Sequence, residues 1–293
     1  MTGERRPGGT LPGTLAPGLH FLATPIGAAR DITLRALDIL ANADVIAAED
    51  TRTLRHLMEI HGVPLNGRRV VAYHDHNGEA QRPFLLHQLA EGKSLAYASE
   101  AGTPLVADPG YQLGRAAIEA GFAVYAAPGP SAVLAALTVS GLPSDRFLFA
   151  GFPPNTKSAR KKWLAEFATI PATLIFYESP KRIGEMLGDL VSELGGERQA
   201  AICRELTKRF EEVRRGTLTD LAAAYAGQPV KGEIVVVVDR AHGRRAGPED
   251  VAAALKERLG RMSVKDAASE VAELLGLPRR EVYQSALAME RDE

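Results

Sequence analysis

Ser99-Glu-Ala-Gly-Thr-Pro-Leu-Val-Ala-Asp-Pro-Gly110, followed downstream by Pro128-Gly-Pro-Ser-Ala-Val133, is the part of the sequence from which the fold is read. Each segment comes after a short apolar run and before a helical pattern, which places both at the strand ends where α/β proteins bind ligands. Glycine lets the backbone approach a ligand closely and proline fixes the turn. Free N–H groups at the start of the next helix hold a polar ligand without charged side chains. Two such loops imply one cofactor held largely by main chain.

On either side of these loops, apolar runs alternate with helical patterns. Leu19–Thr24, Ala43–Ala48, Arg69–Tyr73, Ser94–Ala98 and Ala123–Ala126 read as buried strands. Ile32–Asn42, Thr51–His61, Glu79–Glu91, Tyr111–Ala120 and Ser131–Ser140 read as helices, with Asp31 the candidate cap of the first. Helices between such strands imply a mainly parallel sheet, so the fold class is α/β. Gly141-Leu-Pro-Ser-Asp145 punctuates the chain and sets the expected boundary between an N-terminal α/β domain, 19–142, and a second one, 143–241.

In the second half the strands are Ala172–Tyr177, Gln199–Arg204, Glu211–Arg215 and Glu233–Asp239, with helices at Ser158–Ala168, Lys181–Leu194 and Leu218–Ala226. Strands follow one another more directly after Gln199, which predicts a mixed or antiparallel sheet. Residues 1–18 are rich in Gly, Pro and Arg without periodicity and read as a disordered tail. Residues 248–293 read as a helical element in which Ser263 caps one helix and Pro278 stands near the start of another. The pair of helices around Gly276-Leu-Pro278 resembles a helix-turn-helix, a pattern that structural helical hairpins share.

The 293 residues, 45% of them hydrophobic, suffice for a substantial core. No apolar run is long enough to cross a bilayer and none follows the N-terminus as a signal core, so a soluble, cytoplasmic protein without membrane contact is expected. The single cysteine, Cys203, excludes an internal disulfide and a multi-cysteine metal site; its apolar surroundings suit a buried, inert thiol. A net charge of -1 argues against a protein that coats nucleic acid by bulk attraction, yet basic residues cluster at 157–162, 181–182 and 204–215. The first cluster reads either as a phosphate contact or as the solvated face of a helix that carries Trp163 and Phe167. Neither Gly-x-Gly-x-x-Gly nor Gly-x-x-x-x-Gly-Lys-Ser/Thr occurs, so the ordinary dinucleotide and P-loop readings lose their main support.

Ala23-Thr-Pro-Ile-Gly27, Ala47-Ala-Glu-Asp-Thr-Arg52, Tyr73-His-Asp-His-Asn77, Ala101-Gly-Thr-Pro104, Tyr177-Glu-Ser-Pro180 and Arg204-Glu-Leu-Thr-Lys208, taken together, resemble the tetrapyrrole methylase superfamily of S-adenosylmethionine-dependent methyltransferases. Within it the resemblance is to the branch that methylates a cytidine ribose 2′-hydroxyl in the decoding region of small-subunit (16S) ribosomal RNA. It runs from about Leu19 to Asp239 and on into the helical tail. It implies a two-domain fold whose cleft holds S-adenosylmethionine, a homodimer, and as partner the rRNA of the 30S subunit. The cofactor contacts it implies are Pro25, Glu100, Ala101, Gly102, Thr103, Val106, Ser131, Ala132, Glu178 and Leu206. The sequence departs from the pattern at Glu100, where the family more often has aspartate, and at Ala28-Ala29, where a longer polar pair is common.

A sulfonium already activates its methyl group, so the protein must align an oxygen nucleophile and help remove its proton. Glu49, Asp50 and His74 are the candidate catalytic residues, with His76 beside the last. Glu49 and Asp50 close a strand, and Asp50 reads equally as a helix N-cap. His74 and His76 would project to one side of an extended segment, or stand as surface histidines in a polar loop. They suggest no metal site, because no third ligand lies at useful spacing and the reaction needs no metal. Arg52, Tyr177, Lys181, Arg182, Arg204 and Lys208 are the candidate substrate contacts, Arg204, Glu205 and Lys208 being expected in one ion-pair network along the groove. Two rival readings are a tetrapyrrole ring-carbon methyltransferase, which needs a broad apolar trough, and a non-catalytic RNA-binding or cofactor-sensing module.

Overall fold

The apolar runs of the first half form five strands, β1 (Gly18–Leu22), β2 (Val45–Ala48), β3 (Val70–Ala72), β4 (Ser94–Ala98) and β5 (Val124–Ala127). They pair in the order β3-β2-β4-β1-β5, all parallel. The computed structural model describes residues 13–106, 110–241, 248–275 and 277–291. Because side chains alternate across a strand, Leu22, Ile46, Ala48, Ala96 and Ala98 face α1 (Leu34–Asn42) and α2 (Thr51–Ile60). Leu19, Phe21, Ala47, Leu95 and Tyr97 share the other core with α3 (Gly78–Ala90) and α4 (Gly110–Glu119). β1, β2 and β4 are buried along their whole length, which is why they read as continuous apolar runs, whereas the edge strands β3 and β5 are partly open to solvent.

One expected cap is corrected. Asp31 lies in a short 3-10 turn, Ala29–Asp31, and α1 is capped by Thr33, whose Oγ1 accepts the Ala36 N–H at 3.1 Å.

Helix α5 (Ala132–Ser140) leaves the first sheet and packs on the second. Its Val133, Ala136 and Leu137 meet Ile175, Ala201, Cys203, Val235 and Val237 in one core. That second sheet consists of β6 (Phe147–Gly151), β7 (Thr173–Glu178), β8 (Gln199–Arg204), β9 (Glu212–Thr217) and β10 (Ile234–Val238), in the order β6-β7-β10-β8-β9. Only β6 and β7 are parallel, so the sheet is mixed.

Helix α7 (Ile183–Leu194) packs between α6 (Lys157–Ala165) and α8 (Leu218–Tyr225). The basic cluster on α6 is not uniform. Arg160 is 1% exposed, with Nε 2.7 Å from Asp189 Oδ2 and Nη2 3.2 Å from Glu185 Oε2, both on α7. It fits neither a phosphate contact nor a solvated face; it joins two helices, and taking its charge out of water is tolerated because carboxylates meet it. Lys157 and Lys162 are exposed, and Lys161 pairs with Glu193 at 3.0 Å.

Both sheets and their helices lie in one compact unit, residues up to Phe167 together with Ala172–Asp239. The other unit comprises Ala168–Pro171 and the chain from Arg240, including α9 (Pro248–Leu259), α10 (Val264–Leu275) and α11 (Arg279–Arg291). Val251, Leu255, Ala268, Val271, Val282 and Ala286 form its core, and Ser263 Oγ caps α10 by accepting the Asp266 N–H at 3.2 Å. Residues 1–12 of the expected tail, residues 242–247 of the Gly/Arg-rich link and Gly276 lie outside the described residues. Among the described residues no helix is long and apolar enough to cross a membrane.

Candidate functional site

The carboxyl ends of β1, β4 and β5 meet through hydrogen bonds made by the glycine-proline loops. Thr24 and Gly102 exchange backbone bonds, N–H to O, at 2.9 and 3.0 Å. Thr24 Oγ1 donates to Ser99 O at 3.2 Å, Ser99 Oγ to Gly102 O at 2.8 Å, and Thr103 Oγ1 to Pro130 O at 2.9 Å. The first loop also reaches the segment after β8, where the Ala28 N–H donates to Thr207 Oγ1 at 3.1 Å. Gly27 permits that approach: a Cβ there would lie 2.5 Å from Lys208 Cγ and 3.0 Å from Leu206 O.

These loops and the start of β10 enclose a cavity of about 460 Å³, within the range of small-molecule sites. Of the residues singled out from sequence, Glu49, Glu100, Ala101, Gly102, Thr103, Val106, Ser131, Ala132, Tyr177, Glu178 and Leu206 line it. Pro25 is not in the wall, although its neighbour Ile26 is. Asp50, Arg52, His74, Lys181, Arg182, Arg204 and Lys208 are also outside the wall. Sequence reasoning missed Phe152, Cys203, Glu233 and Val235 as lining residues. The first directly follows β6, Glu233 directly precedes β10 and Val235 is its second residue, positions at which no motif marks them.

Glu49 follows β2, and its Oε2 accepts the Glu100 N–H at 3.2 Å. Asp50 faces its own helix instead: Oδ1 accepts the N–H groups of Arg52 at 2.7 Å and Thr53 at 3.1 Å, capping α2. These two bonds, Thr53's first, hold its carboxyl below the usual aspartate value. Residues 74–77 form a turn rather than an extended segment, closed by the Asn77 N–H on His74 O at 3.0 Å. The rings of His74 and His76 lie 6.0 Å apart, and His74 Nδ1 is buried without a hydrogen-bond partner.

Glu178 is 2% exposed. Its Oε1 accepts from the Ser179 N–H at 2.6 Å and from Arg182 Nε at 2.9 Å, while Oε2 is buried with no hydrogen-bond partner. Arg182 is therefore half-buried against Glu178, and Lys181 alone of the pair is exposed. Burial, then the Glu233 carboxylate, pushes the Tyr177 phenol up to about 12 against a hydrogen bond from the Val133 backbone. Burial likewise pushes the Cys203 thiol up to about 11, with Arg215 opposing. Both groups stay protonated at neutral pH, so neither is a base or a competing nucleophile there.

The expected single network of Arg204, Glu205 and Lys208 is divided. Lys208 Nζ bonds Glu205 Oε1 at 2.9 Å and Glu233 Oε2 at 2.6 Å. Arg204 pairs with Glu212 at 2.9 Å and lines a separate hollow with Arg214, Tyr225 and Lys231.

The wall thus combines small residues, backbone, the apolar side chains of Ile26, Val106 and Leu206, and a buried carboxylate oxygen in need of a donor. That set suits a folded nucleoside-amino acid, whose hydroxyl and ammonium groups are donors.

Residues 18–222 match the Tetrapyrrole (Corrin/Porphyrin) Methylases family and residues 245–290 the RsmI C-terminal HTH domain. The ribosomal RNA small subunit methyltransferase I of Mesorhizobium japonicum is 50% identical over 94% of this chain and 93% of its own length. Its namesakes from Mycobacterium tuberculosis and Vibrio cholerae are 45% and 42% identical, covering 92% and 93% of this chain and 94% and 95% of their own. Among solved structures, the methyltransferase CobJ matches with a TM-score of 0.59 at 22% identity, over 80% of this chain and 98% of that one. Uroporphyrin-III C-methyl transferase from Thermus thermophilus, complexed with S-adenyl homocysteine, matches with a TM-score of 0.53 at 18% identity, over 76% and 98%. The chain belongs to the tetrapyrrole methylase family and, within it, to the ribosomal RNA small subunit methyltransferases I.

Proposed function

We propose that this S-adenosylmethionine-dependent methyltransferase of small-subunit ribosomal RNA places its methyl group on the ribose 2′-oxygen of a cytidine in the decoding region. The observation that carries the reading is Glu49, a carboxylate at the end of β2 that lines the same cavity as the glycine-proline loops and accepts the Glu100 N–H at 3.2 Å. S-adenosylmethionine supplies a methyl group already activated by its sulfonium. Ala101, Gly102, Thr103, Ser131 and Ala132 would hold it through backbone and hydroxyl groups, with Glu178 Oε2 accepting from one of its donors. Glu49 would take the proton of the attacking 2′-hydroxyl, a weak acid that benefits from a base within hydrogen-bond reach. Tyr177, held neutral, would donate a hydrogen bond or pack, and Lys181 would meet phosphate.

RNA is favoured over a tetrapyrrole because the relatives at 42–50% identity carry the ribosomal RNA name, whereas the likeness to uroporphyrin-III C-methyl transferase, at 18% identity, is one of fold. Glu49, Glu100 and Glu233 in the wall also argue against a broad apolar trough. The reading includes domains at 19–142 and 143–241, an appended helical element at 248–293, a homodimer, and the assembled 30S subunit in the cytoplasm as the setting.

Glu49→Gln is expected to bind S-adenosylmethionine as the wild type does, by calorimetry, and to lower kcat for methyl transfer by about 10²–10⁴-fold. Wild-type turnover in this variant removes Glu49 as the base.

A further inference from the structure

Phe152 stands at a break in the second sheet. The pairing of β6 with β7 slips between Phe149 and Gly151, and Gly151 has a φ of 78°, a conformation that disfavours any side chain. The Phe152 ring lines the cavity yet is 57% exposed. It meets the Tyr177 ring edge-on, centroids 5.4 Å apart at 62°, and Tyr177 is braced in turn by Phe149 at 4.7 Å. The residues that follow are fastened down: Arg182 Nη1 donates to Asn155 Oδ1 and, at 3.5 Å, to Pro153 O. Arg182 is itself fixed by the buried carboxylate of Glu178.

A large aromatic ring is thereby kept in water at the wall of the cavity, on a backbone constrained on both sides. Other large apolar side chains of this chain are as exposed, Phe210 at 64% among them, but Phe152 is the exposed phenylalanine that lines this cavity. Its chemistry is that of a flat apolar face beside a carboxylate-bearing pocket, which complements a planar ring attached to a sugar.

We propose that Phe152 is the stacking platform for the base of the nucleotide whose ribose is methylated. This inference rests on the RNA reading given above. A nucleotide that turns out of its stack carries its 2′-oxygen deeper into a cavity at the end of a sheet than a stacked one does, and an aromatic face offsets the lost stacking. Stacking alone does not distinguish the bases, so Phe152 provides affinity and alignment rather than the choice of cytosine.

The test compares wild type, Phe152→Ala and Phe152→Tyr on small ribosomal subunits from cells lacking the modification, with subunit concentration varied at saturating S-adenosylmethionine. Cofactor affinity is measured separately by calorimetry. Phe152→Ala is expected to raise the KM for subunits roughly 5- to 150-fold, the range for loss of one base-aromatic stack. Its cofactor Kd is expected to be unchanged, and Phe152→Tyr to restore the KM. An unaltered subunit KM in Phe152→Ala overturns the proposal, as does weakened cofactor binding with an unaltered subunit KM, which would make Phe152 part of the cofactor wall. Absence of transfer by the wild type itself would instead overturn the RNA reading, and this proposal with it.

Discussion

At Glu49 and Asp50 the start of α2 separates two adjacent carboxylates. Asp50 accepts two backbone N–H groups of its own helix, whereas Glu49 reaches the Glu100 N–H at the cavity wall. Asp50→Ala is expected to cost about 1 kcal/mol of stability and Asp50→Asn much less, because asparagine caps nearly as well. The cap bonds lower the folded-state pKa of Asp50 below the ordinary aspartate value. Its stabilisation is therefore fully present above that value and is lost as the pH falls through the lower, folded one. Urea unfolding should accordingly show the gap between wild type and Asp50→Ala closing in acid; a gap that persists there would contradict the cap. The sequence offered both roles for Asp50 but could not choose, since the choice depends on whether its oxygens turn to the helix or away. Arg160 was less legible still: its partners Asp189 and Glu185 are on another helix, and nothing in the run of basic residues on α6 marks it as the one that is buried.

At the level of elements, the parallel strands and the loops between them were legible, because double-sided burial leaves apolar runs and sharp strand-to-helix turns require glycine and proline. The Thr24–Gly27 loop shows why the rest was not. Its partners Leu206–Lys208 lie about 180 residues away in the sequence, and no local pattern announces the meeting. Glu205 and Thr207 take φ values of 51° and 63° there without being glycine, a strain that the surrounding contacts must hold. The turn at 74–77 was likewise hidden, since it depends on Asn77 bonding back to Ala72 and His74. Gly27→Ala sets a Cβ 2.5 Å from Lys208 Cγ and 2.6 Å from Thr207 Oγ1, which holds the Ala28 N–H, with Leu206 O close behind at 3.0 Å, so a loss of about 1–3 kcal/mol in stability is expected. Weaker S-adenosylmethionine binding should accompany it, because Ile26 of the same loop lines the cavity. Unfolding curves and calorimetry together check this; wild-type values in both would show that the loop moves freely.

For the molecule as a whole, two sheets of different type, joined through α5, bring loops from both halves to one cavity. The combination of six short motifs identified that architecture, whereas a net charge of -1 said little about the partner. The basic residues serve several ends: Arg160 ties helices, Arg182 holds the Phe152 loop, Arg215 bonds the carbonyls at the end of α5, and Arg204 lines a hollow of its own. A count of charges could not have distributed these roles. Methyl transfer to the 2′-oxygen is tested by incubating the full chain with labelled S-adenosylmethionine and small ribosomal subunits from cells lacking the modification, then identifying the modified nucleotide by mass spectrometry. The expected product is 2′-O-methylcytidine in the decoding region. A methyl group on a base, or no transfer while the cofactor still binds, would contradict the account.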